Sequence, residues 1–220
     1  MTAEICGILL AAGSSSRFGS NKLLHCLPDG RPIAATAARN MLAAIPRTIA
    51  VVRPGAKRLA RLLRETGCTV VASRNARSGM GASLASGVRA SGDAGGWVVA
   101  LADMPFICPA SIRSVAAKLA EGAAIAAPSR AGKRGHPVGF ARRFREDLLR
   151  LTGDQGARAL LQRHAVSITL IETDDPGVLR DIDTPEDLEH FSAPGAAPLA
   201  GLEAGANLRG GKSTPSGKRR

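Results

Sequence analysis

The sequence contains no tyrosine, one tryptophan and five phenylalanines. Platforms on which single-stranded nucleic acids stack are therefore scarce, and no aromatic-basic motif of an RNA-binding module is present. The four cysteines, Cys6, Cys26, Cys68 and Cys108, form no C-x-x-C pair and have no histidine at metal-ligand spacing, which argues against a disulfide framework and a zinc site. The four histidines show no H-E-x-x-H pattern. No apolar run approaches the roughly 18 residues of a membrane span, and Met1-Thr2-Ala3-Glu4 lacks the basic start of a secretory signal. These absences predict a cytoplasmic chain in a reducing compartment, with no membrane partner.

Acidic residues are also in short supply: 18 Asp and Glu stand against 30 Lys and Arg, for a formal charge of +12. Such an excess asks for an anionic partner. Part of it sits in the tail, where Arg209, Lys212, Lys218, Arg219 and Arg220 outnumber Glu203. What remains, on a chain poor in aromatics, suits a phosphate-rich small substrate and disfavours nucleic acid.

What is present is alternation. Short apolar runs at 5–10, 48–52, 69–72, 97–101 and 123–127 are brief, uncharged and mostly rich in β-branched residues, as buried strands are. Between them, 33–45, 56–65, 81–90 and 109–121 carry apolar residues at helical spacing. The pattern predicts right-handed βαβ units and a Rossmann-like three-layer α/β/α fold with a mostly parallel sheet. Further on, 139–151 and 156–164 read as helices, 166–172 as a strand, and 185–191 as a short helix capped by Thr184. One domain over 1–191 is expected. Residues 192–220, rich in Pro, Gly and Ala with a basic end, are expected to be a disordered tail.

The first strand runs into ILLAAGSSSRFGSNKLL. In an open parallel sheet the loop after the first strand is a usual place for phosphate. Gly13 and Gly19 allow close approach of the backbone, serines and main-chain N–H groups offer donors, and Arg17 and Lys22 bring charge. The stretch reads as an anion cradle. It is not a Walker A loop, because Ser20 and Asn21 separate the second glycine from Lys22, and it lacks G-x-G-x-x-G.

LAAGSSSRFGSNK is similar to the L-A-x-G-x-x-x-R-x-G-x-x-K signature of the MobA-like nucleotidyltransferases, whose fold is of the nucleotide-diphospho-sugar transferase kind. Four further stretches stand in that family's order: SGMGASLASGV at 78–88, LADMPFI at 101–107, GHPVGF at 135–140 and DIDTPEDL at 181–188. With LAAG, GMGASL, RGHPVGF and GDQGAR together, the chain most resembles the molybdenum cofactor cytidylyltransferases.

The resemblance implies transfer of CMP from CTP to the terminal phosphate of a molybdopterin-type acceptor, with release of pyrophosphate and delivery to a molybdoenzyme apoprotein. It implies Mg2+ held by Asp103 and Asp183, with Asp181 as the alternative to Asp183. Arg17 and Lys22 would meet the triphosphate and share the catalytic role with Asp103. Leu10, Ala11, Ala12 and Gly13 would grip the base on one side, with Gly79, Gly81 and Ser83 on the other. Arg134 and His136 would meet the acceptor. A phosphate acceptor is already an anion at neutral pH and needs no general base, so the lack of a Ser/His/Asp or Cys/His constellation is expected. GMP or another nucleotide in place of CMP, and an NAD(P)H-dependent oxidoreductase of the same fold family, are the alternative readings.

Overall fold

The computed structural model describes residues 4–13, 21–154 and 156–190. Its centre is a mixed sheet of eight strands. Strand β1 (Ile5–Ala11) lies between β2 (Thr48–Val52) and β4 (Gly96–Leu101), with β3 (Thr69–Ala72) outside β2, and all four are parallel. β7 (Val138–Ala141) runs antiparallel between β4 and β5 (Ile125–Arg130). β8 (Ile168–Glu172) pairs parallel with β5, and the two-residue β6 (Lys133–Arg134) folds back on the end of β5.

Alternation along each strand divides the interior in two. On β1, Leu9 and Ala11 face one cluster while Cys6, Ile8 and Leu10 face the other; Val98 and Ala100 are likewise opposed to Trp97 and Val99 on β4. The first cluster is closed by α1 (Ile33–Ala44), α2 (Lys57–Glu65) and α4 (Pro109–Ala120). The second is closed by α3 (Met80–Ala90), α5 (Arg145–Leu149) and α6 (Arg158–Arg163). A strand covered on both faces has no polar face to show, which is why these runs are apolar throughout. The last helix of the described residues is α7 (Pro185–His190).

The loosening of pattern beyond residue 130 has a physical source. The stretch 139–151, expected as one helix, is a strand, a 3-10 turn at Arg142–Phe144 and the short α5. Val138, Gly139 and Phe140 are buried between two strands, and a Cβ on Gly139 would stand 2.8 Å from Val115 of α4. The bare glycine thus admits α4 onto the sheet, and a three-residue apolar run carries no period that separates strand from helix. The expected strand 166–172 begins only at Ile168, after a 3-10 turn. The expected tail lies outside the described residues.

Cys6 is fully buried on β1, and burial, opposed by Arg47 and aided by Glu4, pushes its thiol up to about 11. Burial raises the Cys68 thiol also, against the hydrogen bond from Thr66. Cys26 is exposed. In the native protein iodoacetamide should label Cys26 first and reach Cys6 and Cys68 only on unfolding, as peptide mass mapping would show. Trp97 is fully buried, and its indole N–H donates to Ser91 Oγ at 2.7 Å. Trp97→Ala should cost about 3–5 kcal/mol in a denaturant melt.

Candidate functional site

The order β3-β2-β1-β4 means that successive crossovers run one way from β1 and then return to its other side. A crevice opens beyond the carboxyl ends of β1 and β4, where such folds bind ligands. Ala102 N–H donates to Leu10 carbonyl at 3.0 Å, which carries the β1–β4 pairing one residue past β4 and fixes where Asp103 emerges. Asn21 Oδ1 accepts from Leu23 N–H and caps the 3-10 turn Lys22–Leu24, whose buried Leu23 anchors it to the core. Lys22 thereby faces the same edge.

The Lys22 ammonium lies 2.8 Å from Asp103 Oδ2 and 2.8 Å from Asp183 Oδ1, and donates to the Ile182 carbonyl at 2.8 Å. Its side chain is 13% exposed, against 22% for Asp103 and 49% for Asp183. Burial works to lower the Lys22 pKa, but hydrogen bonds and charge from the two carboxylates outweigh it and hold it above the ordinary lysine value. Asp181 does not reach Lys22; partial burial, with the negative charges of Asp183 and Asp103, raises its carboxyl above the ordinary range. Asp183 is set by the start of α7, where Asp187 Oδ2 accepts from the N–H groups of Asp183 at 2.8 Å and Thr184 at 2.7 Å. Thr184 Oγ1 accepts from Asp187 N–H in return, as a capping box does.

The donor set fits a divalent cation. Among the described residues no three His, Cys, Asp or Glu side chains cluster tightly enough to hold a metal alone. Asp103 and Asp183 do converge on one cation, and Asp103 Oδ1 is buried without a hydrogen-bond partner. Two carboxylates completed by substrate phosphate and water match the habit of Mg2+.

Beside this cluster lies a cavity of about 600 Å3. Leu10, Ala12 and Gly13 line one wall, Gly79, Met80 and Ser83 from the start of α3 line another, and Lys22, Asp103 and Asp183 stand at its edge. Gly79 has φ +99, and a Cβ there would stand 2.2 Å from the Gly153 carbonyl carbon. The loop 152–154 crosses so closely that Gly81 N–H donates to Gly153 carbonyl at 2.9 Å.

The structure therefore gathers Leu10, Ala12, Gly13, Lys22, Gly79, Ser83, Asp103 and Asp183 around one cavity. Ala11 points instead into the first core cluster, and Gly81 is packed under Thr152, where a Cβ would meet the Thr152 carbonyl oxygen at 2.7 Å. Arg134 is exposed on β6. His136 sits outside the cavity wall with Nδ1 buried and unpartnered; burial lowers its pKa, the Asp103 charge opposes this, and Arg134 adds to the lowering. Arg17 lies outside the described residues. Arg53, Met80 and Asp154 also line the cavity and were missed. Arg53 directly follows β2, so the rule that ligands gather at strand carboxyl ends could have found it. Asp154 stands inside GDQGAR, far from any strand end, so no local signal marks it as a cavity residue.

The model of the MobA-like NTP transferase domain matches residues 7–168. The chain belongs to that family. It is a nucleotidyltransferase by family, and such transferases use divalent metals. The purine catabolism protein PucB of Bacillus subtilis is 31% identical over 197 residues, covering 84% of this chain and 94% of PucB. The nicotine blue oxidoreductase of Paenarthrobacter nicotinovorans is 26% identical, with 84% and 94% covered. Among solved structures, Rv0371c of Mycobacterium tuberculosis superposes with a TM-score of 0.75 at 28% identity, covering 87% of this chain and 98% of that one. A manganese complex of the same mycobacterial protein superposes with a TM-score of 0.70 at 25% identity, covering 86% and 97%. No helix among the described residues is long and apolar enough to cross a membrane.

Gly79→Ala should drive the 152–154 loop off α3, lowering stability by about 2 kcal/mol or more and weakening nucleoside triphosphate binding. Gly92→Ala, at φ +57 with open space around it, should show the backbone cost without loss of binding in the same calorimetric titration. The N–H groups of Asp183 and Thr184 hold the Asp187 carboxyl below its ordinary pKa. A depressed carboxylate stabilises the fold above its unfolded pKa of about 3.9, and that contribution disappears as pH falls through the folded value. Asp187→Ala should remove this part of the acid limb from a stability-against-pH profile.

Proposed function

We propose that this nucleotidyltransferase moves CMP from CTP to the terminal phosphate of a molybdopterin-type acceptor and releases pyrophosphate. The observation that carries the reading is the convergence of Lys22, Asp103 and Asp183 on one point at the rim of a cavity that Ala12, Gly13, Gly79 and Ser83 line together with Leu10 and Met80. Where Ala12, Gly13 and Gly79 form the wall, main-chain donors and acceptors can approach a pyrimidine edge. The choice of CMP and of the acceptor rests on the likeness of LAAG, GMGASL and GHPVGF to the cytidylyltransferase branch.

The acceptor phosphate oxygen attacks the α-phosphorus of CTP, the bond from that phosphorus to the α-β bridging oxygen breaks, and pyrophosphate leaves with the electron pair. Mg2+ held through Asp103 and Asp183 would supply positive charge to the phosphate oxygens as their charge redistributes. Lys22, with Arg17, offsets the charge of the β- and γ-phosphates and of the departing pyrophosphate. Arg134 and His136 would meet the acceptor phosphate; the reading is supported by the charge interaction of His136 with both Asp103 and Arg134. That phosphate is already anionic, so alignment and charge screening carry the reaction and no protein base is required. Handing the product to a molybdoenzyme apoprotein would complete the sequence of events. The nicotine blue oxidoreductase relative supplies the second reading, NAD(P)H oxidation on the same fold.

With Mg2+ present, CTP should raise the melting temperature selectively among CTP, GTP, ATP, UTP and NADPH, and should be turned over to pyrophosphate with the pterin acceptor. Asp103→Ala should lower kcat by about 100-fold or more. Preference for GTP would overturn the cytidylyl assignment, and consumption of NADPH would favour the oxidoreductase.

A further inference from the structure

Three oxygens converge on the Lys22 ammonium: Asp103 Oδ2, Asp183 Oδ1 and the main-chain carbonyl of Ile182, each at 2.8 Å. A primary ammonium has three N–H donors, so all are engaged and none is left for a phosphate. Two carboxylate oxygens and one carbonyl oxygen, with no nitrogen or sulfur, are also the donors that hard divalent cations select.

The carbonyl is fixed in place. Ile182 is fully buried, and its N–H donates to the Asp103 carbonyl at 2.9 Å, so the two segments move as one. Asp183 follows it directly and is held through its own N–H by Asp187. Asp103 keeps a second oxygen, Oδ1, without a partner. The three oxygens are thus already assembled, and an ammonium holds them together.

We propose that the Ile182 carbonyl is a third protein ligand of the divalent metal, beside Asp103 and Asp183, and that the Lys22 ammonium occupies this position until metal arrives. The proposal rests on the metal-dependent reading above. Two cations a few ångströms apart repel, so metal and ammonium exclude one another from these oxygens. Metal entry frees Lys22, and the triphosphate offers the released ammonium a new anionic partner. Metal and nucleotide therefore bind cooperatively, and each raises the affinity for the other by the same factor.

The test uses Mn2+ as the probe, titrated into the metal-free full chain and followed by electron paramagnetic resonance. Without nucleotide, Lys22→Met should bind Mn2+ about tenfold more tightly than the unaltered chain, since the competing charge is gone. Saturating CTP should tighten Mn2+ binding in the unaltered chain and do so far less in Lys22→Met. With isoleucine labelled by 13C at the carbonyl, electron-nuclear double resonance should show a 13C coupling of directly bound size. Equal Mn2+ affinity in the two proteins overturns the exchange, and absence of the 13C coupling overturns the Ile182 ligand. If Lys22→Met fails to fold, as a melt would show, Lys22→Gln is read in the same way. No acceptor or turnover is needed. A chain that passes this test but transfers no CMP loses only the proposed reaction, and one that transfers CMP but fails here loses only this inference.

Discussion

The ammonium of Lys22 ties together three segments that are remote in sequence: the turn after the first loop, the end of β4 and the approach to α7. It offsets the repulsion between the carboxylates of Asp103 and Asp183, whose segments are joined by the bond from Ile182 N–H to the Asp103 carbonyl. The arrangement is costly to assemble, because a partly buried lysine gives up hydration and two carboxylates are brought together. It persists because each member is placed by something else. Asn21 and Leu23 set Lys22, the extended β1–β4 pairing sets Asp103, and the Asp187 cap sets Asp183.

The sheet supplies the frame for this edge. Parallel strands share a carboxyl end, so residues that leave β1, β2 and β4 in the same direction gather there however far apart they are in the chain. The antiparallel β7, inserted between β4 and β5, brings the His136 segment to that same edge from the opposite direction. Close packing of bare backbone does the rest. Gly79 lets the 152–154 loop cross the start of α3, which carries Asp154 to the cavity wall.

Much of the fold was legible because its governing signal is local. The runs at 48–52 and 69–72 coincide with β2 and β3, and each helix expected before residue 121 begins and ends within about a residue of the observed one. β2 is buried along its whole length while the edge strand β3 is half exposed, yet both are short, β-branched runs set between amphipathic helices, so each announces itself by its own pattern. Residues 139–151 broke that rule. β7 is four residues long, half glycine and alanine, and defined only by its neighbours. The site shows the same division. Gly13, Lys22 and Asp103 carried a motif as well as a position, whereas Arg53 had only its place after β2 and Asp154 is brought to the cavity only by the crossing of the 152–154 loop over α3.

By itself the sequence determined which segments up to residue 121 become strands and helices, and that the sheet is mostly parallel, because periodicity is a property of neighbours along the chain. Only the tertiary structure decided that Lys22 bridges Asp103 and Asp183 in place of standing free toward a phosphate, and that Ala11 and Gly81 serve packing in place of the cavity. Those outcomes depend on which groups separated by as many as 161 positions end within hydrogen-bond reach. Local pattern carries no such information, since a charge finds its partner only after burial has set the strands side by side.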